Sequence, residues 1–400
     1  MSNGWPLVPM EDIFEIARGG SPRPIDSFLT DDPDGVNWVM ISDATESGKY
    51  INSTKKRIRE EGVKRSRVVQ PGDFLLTNSM SFGRPYIMNT SGCIHDGWLV
   101  LSPRNQNVSP DFFYHLLGSD FVYAEFVRRA AGATVKNLNI DLVKGVQVPL
   151  PPMPEQRRIA EVLDRAEALR AKRRAALSQL DTLTQSIFLD LFGDAAIKRS
   201  VLRRSRLEQV CASSDDIKCG PFGTQLAKSE VTTRGIPLWG IRNVNALFEL
   251  ATHEFLAPKT ATRLAQYSLK PGDIVMTRKG TVGNCAVYPE NFPAGIMHSD
   301  LLRIRVDRSI CEPIFLSHQL HYSRDVERQL ALISGGAVMP GINVTKLKIL
   351  EVVVPPLALQ HDFALRVAAV EKLKSAHRAS LAEFDALFDV LQHRAFRGEL

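Results

Sequence analysis

The side chains able to do chemistry in this chain are mostly cations and amides placed near turns. Lys55-Lys56-Arg57-Ile58-Arg59 and Lys64-Arg65-Ser66-Arg67 are dense in positive charge, and Arg18-Gly19-Gly20-Ser21-Pro22-Arg23 is a basic, glycine-containing loop. The other half of the chain carries Gly220-Pro221-Phe222-Gly223-Thr224-Gln225, Arg242-Asn243 and Arg278-Lys279-Gly280-Thr281. Phosphates attract Lys and Arg without regard to sequence, whereas base edges are read by Arg, Asn, Gln, Ser and Thr. Both kinds occur here together, which suits a polyanion whose edges can be read. Plain solvation of a basic surface is the alternative reading of each cluster.

Catalytic constellations do not emerge. The chain has no phosphate-binding Gly-rich loop ending in Gly-Lys-Ser/Thr, no dinucleotide fingerprint, no zinc-protease His-Glu pair and no nucleophile elbow. Its Pro-Pro pairs lack the flanking residues typical of amino-methyltransferases. Pro33-Asp34 followed by Glu46 and Lys49 hints at a nuclease carboxylate–lysine site, but the spacing is wrong and no second set exists. His318 and His321 lie three apart, yet a metal site needs further ligands at fixed spacing. His95 and His298 follow Gly92 and Gly295 at matching places, as His115 and His318 match within a helical stretch. A shared structural role is the default for such pairs, with ligand contact the alternative for His95 and His298.

These matches belong to a larger duplication, and the duplication dictates the elements that position the loops. Val36-Asn37-Trp38-Val39-Met40-Ile41-Ser42-Asp43 corresponds to Ile236-Pro237-Leu238-Trp239-Gly240-Ile241-Arg242-Asn243, and Pro71-Gly72-Asp73 to Pro271-Gly272-Asp273. The offset then settles at 204, with Asn139 matching Asn343, Gln156 matching Gln360 and Phe192 matching Phe396. Solenoid repeats have periods of roughly 20–50 residues, so this unit is a domain with a spacer. Phe74–Thr77, Trp98–Leu101 and Val146–Pro149 read as strands, as do Ile274–Thr277, Leu301–Ile304 and Val352–Val354. A helical stretch is expected over Pro110–Ala130 and again over Pro313–Leu332. Strands and helices in this order predict an α+β domain in each copy. The copies agree in turns and strands but differ at the tips: Asn78-Ser79-Met80-Ser81 faces Arg278-Lys279-Gly280-Thr281. Equal scaffolds with unequal tips would recognise two different short sequences.

Each copy ends in a long amphipathic helix. The first is expected after Pro151-Pro152-Met153, with Pro154 in its first turn, and is ended by Gly193. Its apolar seam is Ile159, Leu163, Ala166, Leu177, Leu180, Ile187 and Leu191; that of the second is Phe363, Val367, Val370, Leu381, Phe384, Phe388 and Leu391. Steps of four and three make a coiled-coil seam, predicting an antiparallel pair with a pseudo-two-fold axis. At 1.5 Å per residue the first helix is about 58 Å long. Arg170 and Arg173, and Lys374 and His377, interrupt the seam. The favoured reading is a locally splayed coil with solvated basic heads, Leu169 and Leu373 partly replacing the lost contacts; register-setting polar positions are the alternative. The partition is therefore 1–150, a recognition domain; 151–193, a helical spacer; 194–206, a connector; 207–354, a second recognition domain; and 355–400, a second spacer.

Composition agrees with a soluble cytoplasmic protein. The 400 residues are 44% hydrophobic and carry a net charge of +6. No run of 18 apolar residues occurs, predicting no membrane span, and the start lacks the features of a secretory signal. Five cysteines, none in a C-x-x-C pair, read as reduced thiols.

The chain resembles the specificity (S) subunit of Type I restriction–modification systems. The resemblance rests on the repeated Pro71-Gly72-Asp73 and on Gly132-Ala133-Thr134-Val135-Lys136-Asn137-Leu138-Asn139. It extends through Val148-Pro149-Leu150-Pro151-Pro152-Met153-Pro154-Glu155-Gln156-Arg157-Arg158-Ile159, Leu163-Asp164-Arg165-Ala166 and the closing Ala395-Phe396-Arg397-Gly398-Glu399-Leu400. The second copy departs from it at Ala337-Val338-Met339-Pro340 and Leu357-Ala358-Leu359-Gln360. The resemblance implies two target-recognition domains, each reading one half of an asymmetric bipartite DNA target, with the helix pair as a ruler. Half-sites on one DNA face lie about 34–36 Å apart. It implies that the chain is not catalytic and holds no cofactor. Its partners would be two methylation subunits, which use S-adenosylmethionine, and restriction subunits, which use ATP and Mg. On this reading the DNA contacts are Arg18, Ser21, Arg23, Lys55, Lys56, Arg57, Arg59, Asn78, Ser79, Ser81 and Arg84, with Thr224, Gln225, Arg242, Asn243, Arg278, Lys279 and Thr281 in the second copy. An inactive or non-DNA-reading helical scaffold is the alternative.

Overall fold

The computed structural model describes residues 4–78, 83–130, 138–193, 203–334 and 341–400. The architecture is α+β. The chain forms two compact units: Met1–Ala175 with Arg378–Leu400, and Ala176–His377.

In the first unit, one mixed sheet orders the strands Leu29–Thr30, Lys56–Ile58, Val36–Val39, Gly92–Ile94 and Arg67–Val69. The other orders Phe14–Arg18, Trp98–Pro103, Phe74–Thr77, Pro85–Met88 and Tyr50–Ile51. Phe74–Thr77 is buried at every position, which is why it reads as an unbroken apolar run ending in Thr77 rather than an alternating one. Edge-on contacts of Phe14 with Phe74 (5.5 Å) and Phe113 (5.2 Å) join this sheet to the helix Pro110–Leu117.

The second unit repeats this strand order, without a counterpart of the edge strand Tyr50–Ile51. Ile217–Cys219, Leu301–Ile304, Ile274–Thr277 and Cys285–Val287 form one sheet; Val231–Thr232, Phe255–Leu256, Ile236–Trp239, Gly295–Met297 and Ser268–Leu269 form the other. The parallel pair Val36–Val39 with Gly92–Ile94 recurs as Ile236–Trp239 with Gly295–Met297. The repeated Pro-Gly-Asp has a mechanical explanation. Gly72 and Gly272 adopt φ of 94° and 85°, which a side chain would resist. The carboxylates of Asp73 and Asp273 accept from the backbone N–H of Gln70 and Lys270, both at 2.7 Å.

Two expectations about the helices need correction. The single helical stretch in each copy is a pair: Pro110–Leu117 with Asp120–Ala130, and Pro313–Tyr322 with Arg324–Ser334. Ser119 divides the first pair, its hydroxyl accepting from the N–H of Val122; serine starts helices better than it continues them. The long helices, Met153–Phe192 and Leu357–Phe396, each have 40 residues.

The second correction concerns the seam. Phe188 and Phe192 are the buried anchors near the end of the first helix, with Ile187 and Leu191 only partly buried. Leu169 and Leu373 are 44% and 52% exposed and replace nothing. The basic heads are paired, not merely solvated. In the first unit Arg170 bonds Asp385 (2.6 Å) and Glu167 (2.5 Å) and lies over the ring of Phe388. In the second, Lys374 bonds Asp181 (2.8 Å) and Glu371 (2.7 Å). Burial disfavours the Lys374 charge, but these two carboxylates outweigh it and raise the pKa.

Gln156 and Gln360, exposed by 1% and 0%, lock each helix to its domain. The Gln156 side chain accepts from Ser109 N and donates to Asn107 O and Pro151 O; Gln360 accepts from Glu312 N and donates to Ile310 O and Pro355 O. Stranding such buried backbone groups costs about 1–3 kcal/mol each, which accounts for a glutamine at both positions.

Candidate nucleic-acid interface

In each unit part of the candidate set gathers at the ends of three adjacent strands. In the first unit these are the end of Phe14–Arg18, the end of Phe74–Thr77 and the turn entering Trp98–Pro103. Gly19 holds that arrangement: its N–H donates to Trp98 O, and a Cβ there would stand 2.0 Å from His95 O. Gly220 does the same in the second unit, donating to Leu301 O with a Cβ position 2.1 Å from His298 O.

Asp96 organises the first site. Its carbonyl accepts from Arg18 Nε (3.1 Å) and Asn78 Nδ2 (2.7 Å). Its carboxylate accepts from the Ser21 hydroxyl (2.7 Å) and faces Arg23 at 3.6 Å. The Ser21 hydrogen bond, with help from the His95 and Arg23 charges, holds the carboxyl below its ordinary range. His95 packs near Trp38 and Trp98, and burial pushes its pKa down. Ser21, Arg23, Trp38, Lys56, His95 and Asp96 are among the residues lining a cavity of about 340 Å³. Arg84 lies at the same end, its backbone bonded to Thr77 and its guanidinium 5.5 Å from the Tyr86 ring.

Asp300 is the counterpart in the second site. It pairs with Lys279 at 3.1 Å and His298 at 3.3 Å. Arg278 Nη1 donates to the Cys219 sulfur at 2.8 Å, while Arg278 Nε is buried without a hydrogen-bond partner. Burial raises the Cys219 pKa, with Arg278 opposing it. Thr281 donates to Asn245 (3.0 Å), fastening the Arg278–Asn284 turn to the helix Ile241–Asn245, which carries exposed Arg242. Thr224 is exposed on a short helical turn with Gln225.

Several expected contacts are placed differently. Asn243 is 5% exposed and structural: its carbonyl accepts from Gly240 N and its amide donates to Leu250 O. Asp43 similarly accepts from Met40 N, so this position belongs to the scaffold. Asn78 is 3% exposed and braces the Asp96 turn. Lys55 pairs with Glu46, and on the strand Lys56–Ile58 alternation sends Lys56 and Arg57 to opposite faces. Exposed Arg59 lies beyond that strand, so the 55–59 cations are not one patch. Ser79 and Ser81, like Gly132–Asn137 and Ala337–Pro340, lie outside the described residues. Sequence reasoning missed Asp96, Asp300 and Asn245. The two acids follow the paired His95 and His298 within two residues, a signal obscured by the search for ligands among cations.

The chain is similar to known proteins in sequence and in fold. Residues 2–179 match the family model described as the Type I restriction modification DNA specificity domain. The StySPI specificity subunit of Salmonella potsdam is 21% identical over 431 residues, covering 100% of this chain and 90% of that one. The EcoKI specificity subunit of Escherichia coli (strain K12) is 21% identical over 424 residues, with the same coverage. Two solved structures share the fold. A Type I S subunit from M. genitalium has a TM-score of 0.56 at 15% identity, covering 99% of this chain and 97% of that chain. A chain from work on assembly and conformational transition of the type I R-M system has a TM-score of 0.61 at 21% identity, covering 100% and 99%. The domain match over residues 2–179, the full-length relatives and the shared fold lead to one conclusion: the chain is similar, from end to end, to the specificity subunits of Type I restriction–modification systems.

Proposed function

We propose that each unit reads one half of an asymmetric, bipartite duplex DNA target and that the chain performs no bond chemistry itself. One observation carries this reading. The scaffold position holding Arg18 in the first unit holds Cys219 in the second, and the position holding Asn78 holds Arg278. The cation has moved from the end of one strand to the end of the strand on the far side of their shared neighbour, while the order of the three strands is the same. Different donors on equal supports would specify different bases.

Catalysis then falls to partners. Two methylation subunits would bind S-adenosylmethionine and modify adenine; restriction subunits would use ATP and Mg. Methylating a base requires extruding it from the stack, so the bound duplex is expected to be distorted where those subunits act. The long helices would dock the methylation subunits and set the unspecified gap, and the assembly would work in the cytoplasm. Among the described residues no helix is long and apolar enough to cross a membrane.

Base-resolved methylation mapping in cells carrying this chain with its methylation subunit tests the reading. Two short defined halves around a constant gap are expected. A continuous motif would refute the bipartite geometry. An assembled complex that leaves no methylation would favour a scaffold role.

A further inference from the structure

Phe222 is 62% exposed, the most exposed aromatic side chain among the described residues. Single exposed apolar residues are common and need no explanation. This one is unusual in its support. It sits at the first corner of a turn held from several directions. Phe222 N donates to Gln225 Oε1 (3.3 Å), which also accepts from the Tyr267 hydroxyl (2.9 Å). Arg263 Nη1 donates to Gln225 O at 2.6 Å, and Arg263 is itself tied to Glu230. Gly223 follows at φ +65, with open space where its Cβ would be. The turn thus fixes the backbone that carries this exposed apolar ring.

That place is the candidate interface. Gly220, two residues before, packs against the His298 turn, and Cys219 bonds Arg278. Counting from the equivalent glycines, Gly19 and Gly220, the matching residue in the first unit is Ser21, which bonds Asp96. The aromatic tip therefore belongs to the second unit alone. Phosphates offer nothing to a phenyl ring. Bases do, through the thymine methyl group or through the faces exposed when a step is opened.

We infer that Phe222 makes an apolar base contact within the second half-site, taking either a thymine methyl or an opened base step. The inference rests on the proposed DNA-reading function and names a specificity-determining residue within it. It gives the second half-site an apolar contact that the equivalent position of the first unit does not supply.

The test uses the complex assembled with its methylation subunits and the target found by methylation mapping. Target and random duplexes compete for wild type, Phe222→Ala and Phe222→Leu at one salt concentration. Phe222→Ala is expected to lower the target-to-random ratio about tenfold or more, with Phe222→Leu between it and wild type and all three melting alike. Duplexes with thymine replaced singly by uracil, and adenine by 2-aminopurine, identify the contact. A methyl contact makes wild type sensitive to one uracil in the second half-site; an opened step brightens 2-aminopurine there. Either signature must vanish in Phe222→Ala. Unchanged discrimination, absence of both signatures, or equal effects in both half-sites would overturn the inference. Wild type that cannot distinguish target from random DNA would instead overturn the reading beneath it.

Discussion

Asp96 shapes the candidate interface of the first unit more than any cation around it. By accepting from Arg18, Ser21 and Asn78, it sets where those donors stand. Its pairing with Arg23, whose side chain is 83% exposed, adds little stability by itself. The informative substitution here is Arg84→Ala. Arg84 is exposed and its head rests on Tyr86, so truncation should reduce target discrimination roughly five- to hundredfold while leaving the melting temperature unchanged. Competition between target and random duplexes at fixed salt measures this, and equal discrimination would remove Arg84 from the interface. Arg278→Ala is a compound change, because it also removes one of the two partners of Cys219 and leaves the other, Ser299 O; lost binding there should accompany lost stability. Side-chain type identified these residues as candidates. It could not show that Asn78 and Asn243 turn inward, because an amide suits a buried turn as well as a base edge.

At the scale of elements, the helix pair carries the same polar device twice. Arg170, Glu167 and Asp385 correspond by the 204 offset to Lys374, Glu371 and Asp181. Within the first unit Arg170 of one long helix meets Asp385 of the other, and within the second unit Lys374 meets Asp181. A slip of one residue would separate both basic heads from their acids. A double-mutant cycle on Arg170→Ala and Asp385→Ala should give a coupling of about 0.5–3 kcal/mol in chemical denaturation. Additive single changes would make the pair incidental. The seam's apolar spacing was legible in the sequence, but its polar interruptions were not. Charge at a core position reads equally as a splayed coil or a paired lock until the opposite helix supplies the acid.

Across the whole molecule, duplication allows one half to change without the other. Each domain has its own sheets, and a glutamine fastens each to its helix. Replacing residues 1–150 with the corresponding domain of one of the similar specificity subunits should therefore change one half of the methylated motif. The other half should stay as it was, within experimental reproducibility. Methylation mapping of the hybrid reads both halves at once, and a change in both would end the modular reading.

The duplication, the α+β character of both copies and the two helices were determined by the sequence alone. Apolar periodicity, turn residues and self-similarity are local signals, so one chain compared with itself suffices to read them. The split helices at Ser119 and Ser323, the anchoring by Phe188 and Phe192, and the convergence of four side chains on Asp96 were decided only by tertiary structure. Each depends on which distant group meets a side chain. Arg18 and Asp96 lie 78 residues apart in sequence, and only the pairing of their strands brings guanidinium and carbonyl together.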